Sequence, residues 1–450
     1  MIIRVVVENF LSIKERVELL MTPGKGQIHS NHIMTTGKRN DFKLLRSAVL
    51  FGANASGKSN IIKAISFAKK LALENPKNDV INYERFKLNE ETYNNKPSRI
   101  EIEFKHNSGQ CYAYGFIFDN TKIHEEWLYK ISRKSESDVL VFNRKENDFE
   151  VNDKIFKQNN NGEKNLIFTL KTLVKDNQLF VSYINNQKKE SFDNTFIDVL
   201  NVIAWFSNTL QIVFPNTRVK GIEINLMKNK EIKEMFIDYL NQFNLGINDI
   251  CFEKKELSKA KDIPEKIKQA LLDNQQKDNY GMIQINEKFL YIISYEKDKL
   301  MISKLVFIHK NNKNKDVVFN LEEESDGTNR IIELIPMIND LVNNEKVYLI
   351  DEIERSLHAK MVYSIFEMFF ASKTNNQLIA ATHETQLLTQ LLLRKDEIWF
   401  VSKNEEGETK LYSLEKFKVR FDKEIRKDYL LGLFGATPKF NNRTFNSILN

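Results

Sequence analysis

Residues 52–59 read Gly-Ala-Asn-Ala-Ser-Gly-Lys-Ser and match the pattern G-x-x-x-x-G-K-[ST]. A short apolar run at residues 48–51 precedes them, and apolar residues at helical spacing follow from Lys58 until the pattern ends near Pro76. A strand, a glycine-rich loop and a helix in this order predict a phosphate-binding loop, because the glycines let backbone N–H groups surround phosphates at a helix N-terminus. An ordinary glycine-rich turn is the alternative, and the flanking strand and helix disfavour it.

The polar side chains of this loop have expected roles. Lys58 reaches the β- and γ-phosphates of a bound nucleotide, and Ser59 supplies a ligand for Mg²⁺. The residues predicted to bind the nucleotide here are Gly52, Asn54, Ala55, Ser56, Gly57, Lys58, Ser59 and Asn60.

A second apolar run, at residues 347–350, ends in two carboxylates, Asp351 and Glu352. A strand that ends in an acidic pair is by itself more often structural than catalytic. Together with the phosphate-binding loop, the pair predicts that Asp351 completes the Mg²⁺ site with Ser59. Glu352 is then the group that orients or deprotonates the attacking water.

Two further stretches are weak signals when taken alone. His383 follows the apolar run 377–382 and lies 31 residues after the second acidic residue. A lone histidine at a strand end is more often a satisfied polar group than a catalytic one. Residues 324–330 (Glu-Ser-Asp-Gly-Thr-Asn-Arg) begin a predicted helix, and Ser325 lies 26 residues before Asp351. In isolation this stretch predicts a simple helix N-cap.

These four elements, in this order, resemble the nucleotide-binding head of ABC-type ATPases of the SMC/RecF/OLD branch, in which an insertion splits the head. More closely, the chain resembles the standalone OLD-like AAA ATPases of bacterial anti-phage operons, such as the ATPase subunits of PARIS, Septu and some retron systems. The stretches that carry the resemblance are residues 9–12, 51–60, 350–358, 398–401 and 429–438. The resemblance covers both ends of the chain well and the middle poorly.

The resemblance implies ATP and Mg²⁺ as cofactors and adds roles for further residues. His383 lies where such ATPases sense the γ-phosphate, and it is therefore grouped with Glu352 as catalytic. Ser325 and Gly327 lie where the signature motif contacts the γ-phosphate held by a second subunit. The motif here reads Glu-Ser-Asp-Gly-Thr rather than Leu-Ser-Gly-Gly-Gln. Residues 356–358 lie where the chain of such ATPases crosses the dimer interface.

The resemblance also implies protein partners. Two subunits enclose two ATP molecules in a homodimer, and such dimers form higher assemblies. They control a separate effector protein from the same operon, often a nuclease, in response to a phage-derived trigger. Only 67 residues follow His383, too few for the nuclease domain of an OLD nuclease, so we expect that the chain does not cut nucleic acid itself.

The pattern along the chain predicts an α/β fold. Helices and strands alternate over residues 329–381, which favours a parallel or mixed sheet. Apolar residues alternate with period two over residues 97–145, and helical patterns dominate residues 165–280. We therefore predict an ABC-type P-loop ATPase head split by a β-rich lobe and a helical insertion. The predicted segments are the N-terminal ATPase lobe (1–96), the β-rich lateral lobe (97–150), the mostly helical insertion (151–281) and the C-terminal ATPase lobe (282–450).

Composition argues against several other classes of protein. The chain has 450 residues with 67 Lys and Arg against 61 Asp and Glu, so its net charge of +6 is weak evidence for nucleic-acid binding. The two cysteines are isolated, and no apolar run reaches the ~18 residues needed to span a bilayer. The start carries charges too early for a signal peptide, so we expect a cytoplasmic protein without membrane contact.

Four other features have a plain structural interpretation. We expect core packing for the aromatic run on alternate positions and for the apolar segment near the C-terminus, a solvated loop for the asparagine-rich stretch, and solvated helix faces for the lysine-rich stretches. The aromatic run is Tyr112, Tyr114, Phe116 and Phe118, and the apolar segment is 429–438. The asparagine-rich stretch is 157–164, and the lysine-rich stretches are Lys254, Lys255 and 259–268. Base stacking by the aromatic residues, a partner contact at 429–438 and a nucleic-acid groove along the lysines are the alternatives.

Two other functions stay open. A RecF- or SMC-like DNA-maintenance ATPase that binds DNA directly would use the same head, and a steep salt dependence of DNA affinity would favour it. A GTPase or a small-molecule kinase is disfavoured. The chain contains no Asn-Lys-x-Asp guanine motif, and neither function would give Ser325 a role.

Overall fold

The structure is a computed structural model, and it describes residues 1–36, 42–76, 80–132, 137–146, 148–152, 172–187, 196–217, 222–260, 263–273, 281–285, 289–296, 299–420 and 423–438. The loop predicted at residues 157–164 lies outside the described residues. No helix in the described part of the chain is both long and apolar enough to cross a bilayer.

The described strands are β1 (Ile2–Glu8), β2 (Val17–Leu20), β3 (Ile33–Thr36), β4 (Phe42–Leu45), β5 (Ser47–Phe51), β6 (Ser98–Lys105), β7 (Cys111–Phe118), β8 (Ile123–Ile131), β9 (Val139–Lys145), β10 (Asp148–Val151), β11 (Leu210–Val213), β12 (Ile247–Glu256), β13 (Gly281–Ile285), β14 (Phe289–Glu296), β15 (Lys299–Lys310), β16 (Asp316–Asn320), β17 (Val347–Ile350), β18 (Gln377–Thr382), β19 (Ile398–Lys403) and β20 (Thr409–Ser413). The described α-helices are α1 (Lys58–Leu73), α2 (Glu90–Asn95), α3 (Phe180–Asn185), α4 (Ile197–Ala204), α5 (Ile222–Lys228), α6 (Lys230–Gln242), α7 (Glu265–Asp273), α8 (Asp326–Asn343), α9 (Ala359–Ala371) and α10 (Ile425–Leu430).

The described chain divides into two compact units. The first contains Met1–Pro215, Leu341–Glu354 and the described residues from Tyr363 onward, and the second contains Asn216–Asp340 and Arg355–Val362. The first unit therefore combines both ends of the chain, although more than a hundred residues separate its parts in the sequence.

A mixed sheet at the centre of the first unit has the strand order β11-β17-β18-β5-β19-β20. Each neighbouring pair from β11 to β19 is parallel, and β20 is antiparallel to β19. Because parallel strands run in one direction, the carboxyl ends of β5, β17 and β18 meet at one edge of the sheet. The predicted α/β fold class with a mixed sheet is confirmed.

An antiparallel sheet of seven described strands, ordered β10-β9-β8-β7-β6-β1-β2, lies in the same unit. Its strand β7 carries the aromatic run predicted to be core. Tyr112, Tyr114, Phe116 and Phe118 are all buried, and the Tyr114 ring packs edge-on to Phe206 with centroids 6.0 Å apart. The prediction of core packing for these four residues is confirmed.

Three features differ from the expectation for the segments. The strands β6 to β10 share their sheet with β1 through the β1–β6 pairing, so they do not stand apart from the N-terminal segment. Within residues 151–281, expected to be mostly helical, β11 joins the central sheet beside β17. The strand β12 carries Lys254 and Lys255, so the prediction that these two lysines lie on a helix face is wrong. Four residues are too few to display a period-two pattern, which is why β11 is not visible in the sequence. The division into four segments stays a prediction.

The second unit contains an antiparallel sheet with the order β12-β15-β14-β13, and β16 also pairs with the long strand β15. The helix α6 contacts β12 in this unit. Helix α8 begins at Asp326, within the stretch 324–330 where a helix start is predicted, and Ser325 supplies the cap.

The side chain of Gln377 links strands that belong to different sheets of the first unit. Its Oε1 accepts a hydrogen bond from the amide of Ile2 at 2.6 Å. Its Nε2 donates to the carbonyl oxygens of Ile2 and Leu45, both at 2.9 Å. Gln377 is fully buried, so water cannot replace these bonds.

We expect Gln377→Leu to destabilise the protein by about 3 kcal/mol or more, because three buried backbone groups lose their partners. Urea unfolding followed by circular dichroism measures the change. Gln386→Leu, at an exposed position, is the control and should change stability by less than about 0.5 kcal/mol. Equal unfolding midpoints for Gln377→Leu and the wild type would contradict this role.

Candidate functional site

The stretch 52–59 forms a tight loop between the end of β5 and the start of α1, and its glycines are required by close contacts. Gly57 has a φ of +108°, and a Cβ there would lie 2.1 Å from Thr409 Oγ1. A Cβ on Gly52 would lie 2.2 Å from the carbonyl oxygen of Val401. The loop therefore packs against its surroundings through bare backbone at these two positions, which a residue with a side chain could not do.

Lys58 is a buried cation whose partners are neutral. Its Nζ donates to the carbonyl oxygens of Gly52 at 2.8 Å and Ala53 at 3.1 Å. The side chain also lies 3.0 Å from Nε2 of His383. Burial lowers the pKa of Lys58 from 10.5 to about 8, while the carboxylates of Glu354, Asp351 and Glu352 act in the opposite direction. A bound anion would stabilise this partly desolvated charge.

His383 follows β18 and faces Lys58. Partial burial, together with the positive charge of Lys58, lowers the pKa of His383. The neutral imidazole with a free lone pair on Nε2 is therefore the form that accepts a hydrogen bond from Lys58. The structure brings this predicted residue to the phosphate-binding loop.

Ser59 and Asp351 meet although 292 residues separate them in the sequence. Ser59 Oγ donates a hydrogen bond to Asp351 Oδ1 at 2.9 Å. Burial raises the pKa of Asp351, and the hydrogen bond from Ser59 opposes that shift. A hydroxyl and a carboxylate are hard oxygen ligands of the kind that Mg²⁺ prefers.

Glu352 follows Asp351 at the carboxyl end of β17 and is exposed to solvent. Its backbone has a φ of +50°, a left-handed conformation that costs on the order of 1 kcal/mol or more for a residue with a side chain. Strain of this kind concentrates at functional positions, where the surrounding structure holds it.

Ser325 and Gly327 lie in the second unit, at the start of α8. Ser325 Oγ accepts a hydrogen bond from the amide of Thr328 at 3.1 Å, which is the contact of a helix N-cap. A Cβ on Gly327 would lie 2.9 Å from the carbonyl oxygen of Ser356. The signature-like residues and the predicted interface segment 356–358 are thus neighbours within this unit.

A set of side-chain contacts from Ser12 and Thr409 holds the predicted phosphate-binding loop, and the motifs did not reveal it. Thr409 Oγ1 donates to the carbonyl oxygen of Ser56 at 2.9 Å and lies 2.7 Å from Ser12 Oγ. Asn60, predicted to bind the nucleotide, donates from Nδ2 to Ser12 Oγ at 2.6 Å. Ser12 lies in a stretch that carries the resemblance, whereas Thr409 is an ordinary residue of an edge strand with no local signal.

These residues fit a magnesium–triphosphate group. Ser56 Oγ is buried without a hydrogen-bond partner among the described residues, so a ligand oxygen would satisfy it. Lys58 supplies a cation, and Ser59 and Asp351 supply oxygen ligands at the same strand ends. Asn54 and Ala55 are exposed at the tip of the loop, where Ala55 has a φ of +61°.

Comparison with known proteins identifies the family. Residues 47–389 match the family model described as "AAA domain, putative AbiEii toxin, Type IV TA system", and the chain belongs to this family. No curated protein sequence matches the chain.

Three SMC heads are among the solved structures that the chain matches. The SMC head domain from Thermotoga maritima has 12% identity and a TM-score of 0.37 over 92% of this chain and 98% of that chain. A SmcHead bound to the C-winged helix domain of ScpA has 13% identity and a TM-score of 0.43, with 92% and 99% covered. A Pyrococcus furiosus Smc head with an extended coiled coil has 15% identity and a TM-score of 0.34, with 92% and 97% covered.

The buried amine of Lys58 predicts a pH dependence of stability in the nucleotide-free protein. The unfolded chain holds the proton up to pH 10.5 and the folded protein only to about pH 8, so stability rises with pH between these values. We expect the unfolding free energy of the wild type, minus that of Lys58→Met, to increase by on the order of 1–3 kcal/mol from pH 7 to pH 10.5. Urea unfolding at several pH values tests this.

The matched control is Lys63→Met, which removes an exposed lysine from the same helix. A difference between wild type and Lys58→Met that stays constant across this pH range would contradict the burial of a charged amine at the site.

Proposed function

We propose that this AAA-domain protein binds ATP with Mg²⁺ and hydrolyses it. The observation that carries the proposal is the meeting of Ser59 and Asp351, 2.9 Å apart, beside the buried Lys58. A lysine and a hydroxyl from one part of the chain and a carboxylate from another converge at the ends of parallel strands, which is where α/β proteins bind nucleotides.

Each residue of the site has a role in this proposal. Lys58 binds phosphate oxygens, and Ser59 and Asp351 hold the metal. When bound, Mg²⁺ neutralises charge on the β- and γ-phosphates. Glu352, open to solvent, orients or deprotonates the attacking water. His383 is placed to exchange its hydrogen bond with Lys58 for one with a ligand.

We further propose that ATP joins two copies of the chain. Ser325 and Gly327 would contact the γ-phosphate held by the partner subunit, with Ser356, Leu357 and His358 nearby at the interface. Supporting this, Ser325 is exposed at the start of an 18-residue helix, where its amide groups favour an anion. Because each site needs both chains, hydrolysis would release the dimer and act as a conformational switch.

The biological role that we propose is that of a cytoplasmic sensor or regulatory subunit of an anti-phage defence system. Higher assemblies of the dimer would control a separate effector, such as a nuclease, in response to a phage-derived trigger. The support is the resemblance of the stretches 51–60 and 350–358 to the ATPase subunits of such systems.

A DNA-maintenance ATPase that binds DNA directly is the alternative, and the charges of the second unit favour it less. At least five of the lysines in the described part of this unit are paired with carboxylates. The pairs are Lys254 with Glu296, Lys299 with Glu256, Lys304 with Glu322, Lys310 with Asp316 and Lys268 with Glu265. A phosphate backbone would have to displace these carboxylates to bind there.

We expect Glu352→Gln to lower the rate of ATP hydrolysis by about 10²–10⁴-fold while ATP still binds, because only the proton acceptor is lost. Phosphate release gives the rate, and equilibrium binding of ATP and GTP gives affinity and base preference. Lys58→Ala is the matched variant and should lose ATP binding. Unchanged affinity in Lys58→Ala, or wild-type turnover in Glu352→Gln, would contradict the assignment of these residues.

The mass of the Glu352→Gln protein should double when ATP and Mg²⁺ are added, because ATP is trapped between two chains. Native mass spectrometry measures this change. Adding Ser325→Arg should block the doubling and leave ATP binding to one chain intact, whereas adding Ser258→Arg, at an exposed position of the same unit, should not. A dimer that persists with Ser325→Arg would refute the role of the signature-like motif.

The same Glu352→Gln protein, purified with ATP from its own host, separates the two biological roles. A defined protein effector in a complex free of nucleic acid is the expected result. Bound DNA without a protein partner would overturn the defence proposal in favour of DNA maintenance.

A further inference from the structure

Glu354 lies two residues after Glu352, and its carboxylate reaches the end of the neighbouring strand. Oε1 accepts a hydrogen bond from the amide of His383 at 2.6 Å. Oε2 accepts one from the hydroxyl of Thr382 at 2.7 Å. Both oxygens of one side chain are therefore used to hold the last residue of β18 and the residue that follows it.

The residues on both sides of this contact are held by further hydrogen bonds. Thr382 is fully buried, and its Oγ1 accepts a further hydrogen bond from the amide of Glu384 at 2.9 Å. The amide of Ile353 donates to the carbonyl oxygen of Ala381 at 3.3 Å, so the turn after β17 is attached to β18 at two successive residues. Hydrogen bonds to a carboxylate are stronger than those between neutral groups, which makes Glu354 the firmer of the two attachments.

The contact bears directly on the position of the imidazole. Glu354 holds the backbone of His383, while the ring of His383 lies 3.0 Å from Lys58 Nζ. A shift of the His383 backbone would move the ring away from Lys58. The charge of Glu354 also favours the protonated form of Lys58 against the effect of burial.

We propose that Glu354 is a positioning residue for ATP hydrolysis, which acts through His383 by fixing its backbone so that the ring stays aligned with Lys58. This inference rests on the proposed ATPase function. Glu354 touches neither Ser59 nor Asp351 among the contacts of the site, so it is not a catalytic residue. Its effect is carried by the two hydrogen bonds.

Four variants test this proposal. Glu354→Ala removes both hydrogen bonds, and we expect kcat to fall about 10–100-fold while the Kd for ATP changes less than about 3-fold. Glu354→Gln keeps two hydrogen bonds, because its amide oxygen accepts from the His383 amide and its NH₂ group donates to Thr382 Oγ1. In this variant kcat should return to within about 5-fold of the wild type. His383→Ala alone and combined with Glu354→Ala complete a double-mutant cycle.

The cycle distinguishes action through His383 from an independent effect. If Glu354 acts through His383, the double variant is as slow as His383→Ala, within about 2-fold. Losses that multiply would overturn the proposal, and so would a Glu354→Gln variant as slow as Glu354→Ala. Wild-type protein that fails to hydrolyse ATP would overturn the proposed function and this inference with it. Normal turnover by the wild type, together with losses of kcat that multiply in the double variant, would overturn this inference alone.

A spectroscopic measurement without nucleotide gives an independent readout. Selective ¹⁵N labelling of the seven histidines allows the ring of His383 to be identified by its loss in His383→Ala. We expect Glu354→Ala to shift the His383 ring signals toward those of a free imidazole and Glu354→Gln to preserve them. Unshifted His383 signals in Glu354→Ala would overturn the positioning role.

Asp119→Ala is the matched control for a purely structural loss. Asp119 also binds a threonine hydroxyl and backbone amides, those of Thr121 and Lys122, but in a turn of the antiparallel sheet. Its removal should lower the melting temperature without changing kcat or the His383 signals. Glu354→Ala and Asp119→Ala with the same pattern of effects would show that Glu354 is structural only.

Discussion

The parallel pairing of β18 with β17 on one side and β5 on the other is the constraint on which the site depends. This pairing fixes where each strand ends, and the residues just beyond those ends form the candidate site. Asp351 can meet Ser59, and His383 can meet Lys58, only while the three strands keep their register. A shift of β17 or β18 by one residue would move Asp351 or His383 away from its partner at the start of α1.

Within that frame the site holds a buried charge and a strained backbone residue. Lys58 is a buried cation whose hydrogen-bond partners are carbonyl oxygens and a neutral imidazole. Glu352 adopts a left-handed backbone conformation next to it in the fold. The buried positive charge of Lys58 is unfavourable by itself and would be stabilised by the negative charge of a triphosphate, which is the expected behaviour of a site organised before its ligand arrives.

The sequence allowed prediction of this site because its residues lie in contiguous stretches with a known mechanism. The loop at 52–59 and the acidic pair could be read from local order, and the strands and helices around them follow apolar patterns. Thr409 and Glu354 could not be found in that way, because their roles depend on tertiary contacts with Ser56 and His383 that no spacing encodes. The strand β11 was missed for a related reason: only its pairing with β17 makes four residues a strand.

The order of strands in the central sheet has a consequence for synthesis of the chain. β5 emerges early from the ribosome, but its partners on both sides, β18 and β19, begin only at residues 377 and 398. At about 5–20 residues per second, some 350 residues of further translation leave both edges of this apolar strand without their partners for roughly 20–70 seconds. An unpaired edge invites association with other chains. We therefore expect this protein to depend most on chaperones during translation, while its N-terminal region has been synthesised and the partners of β5 have not.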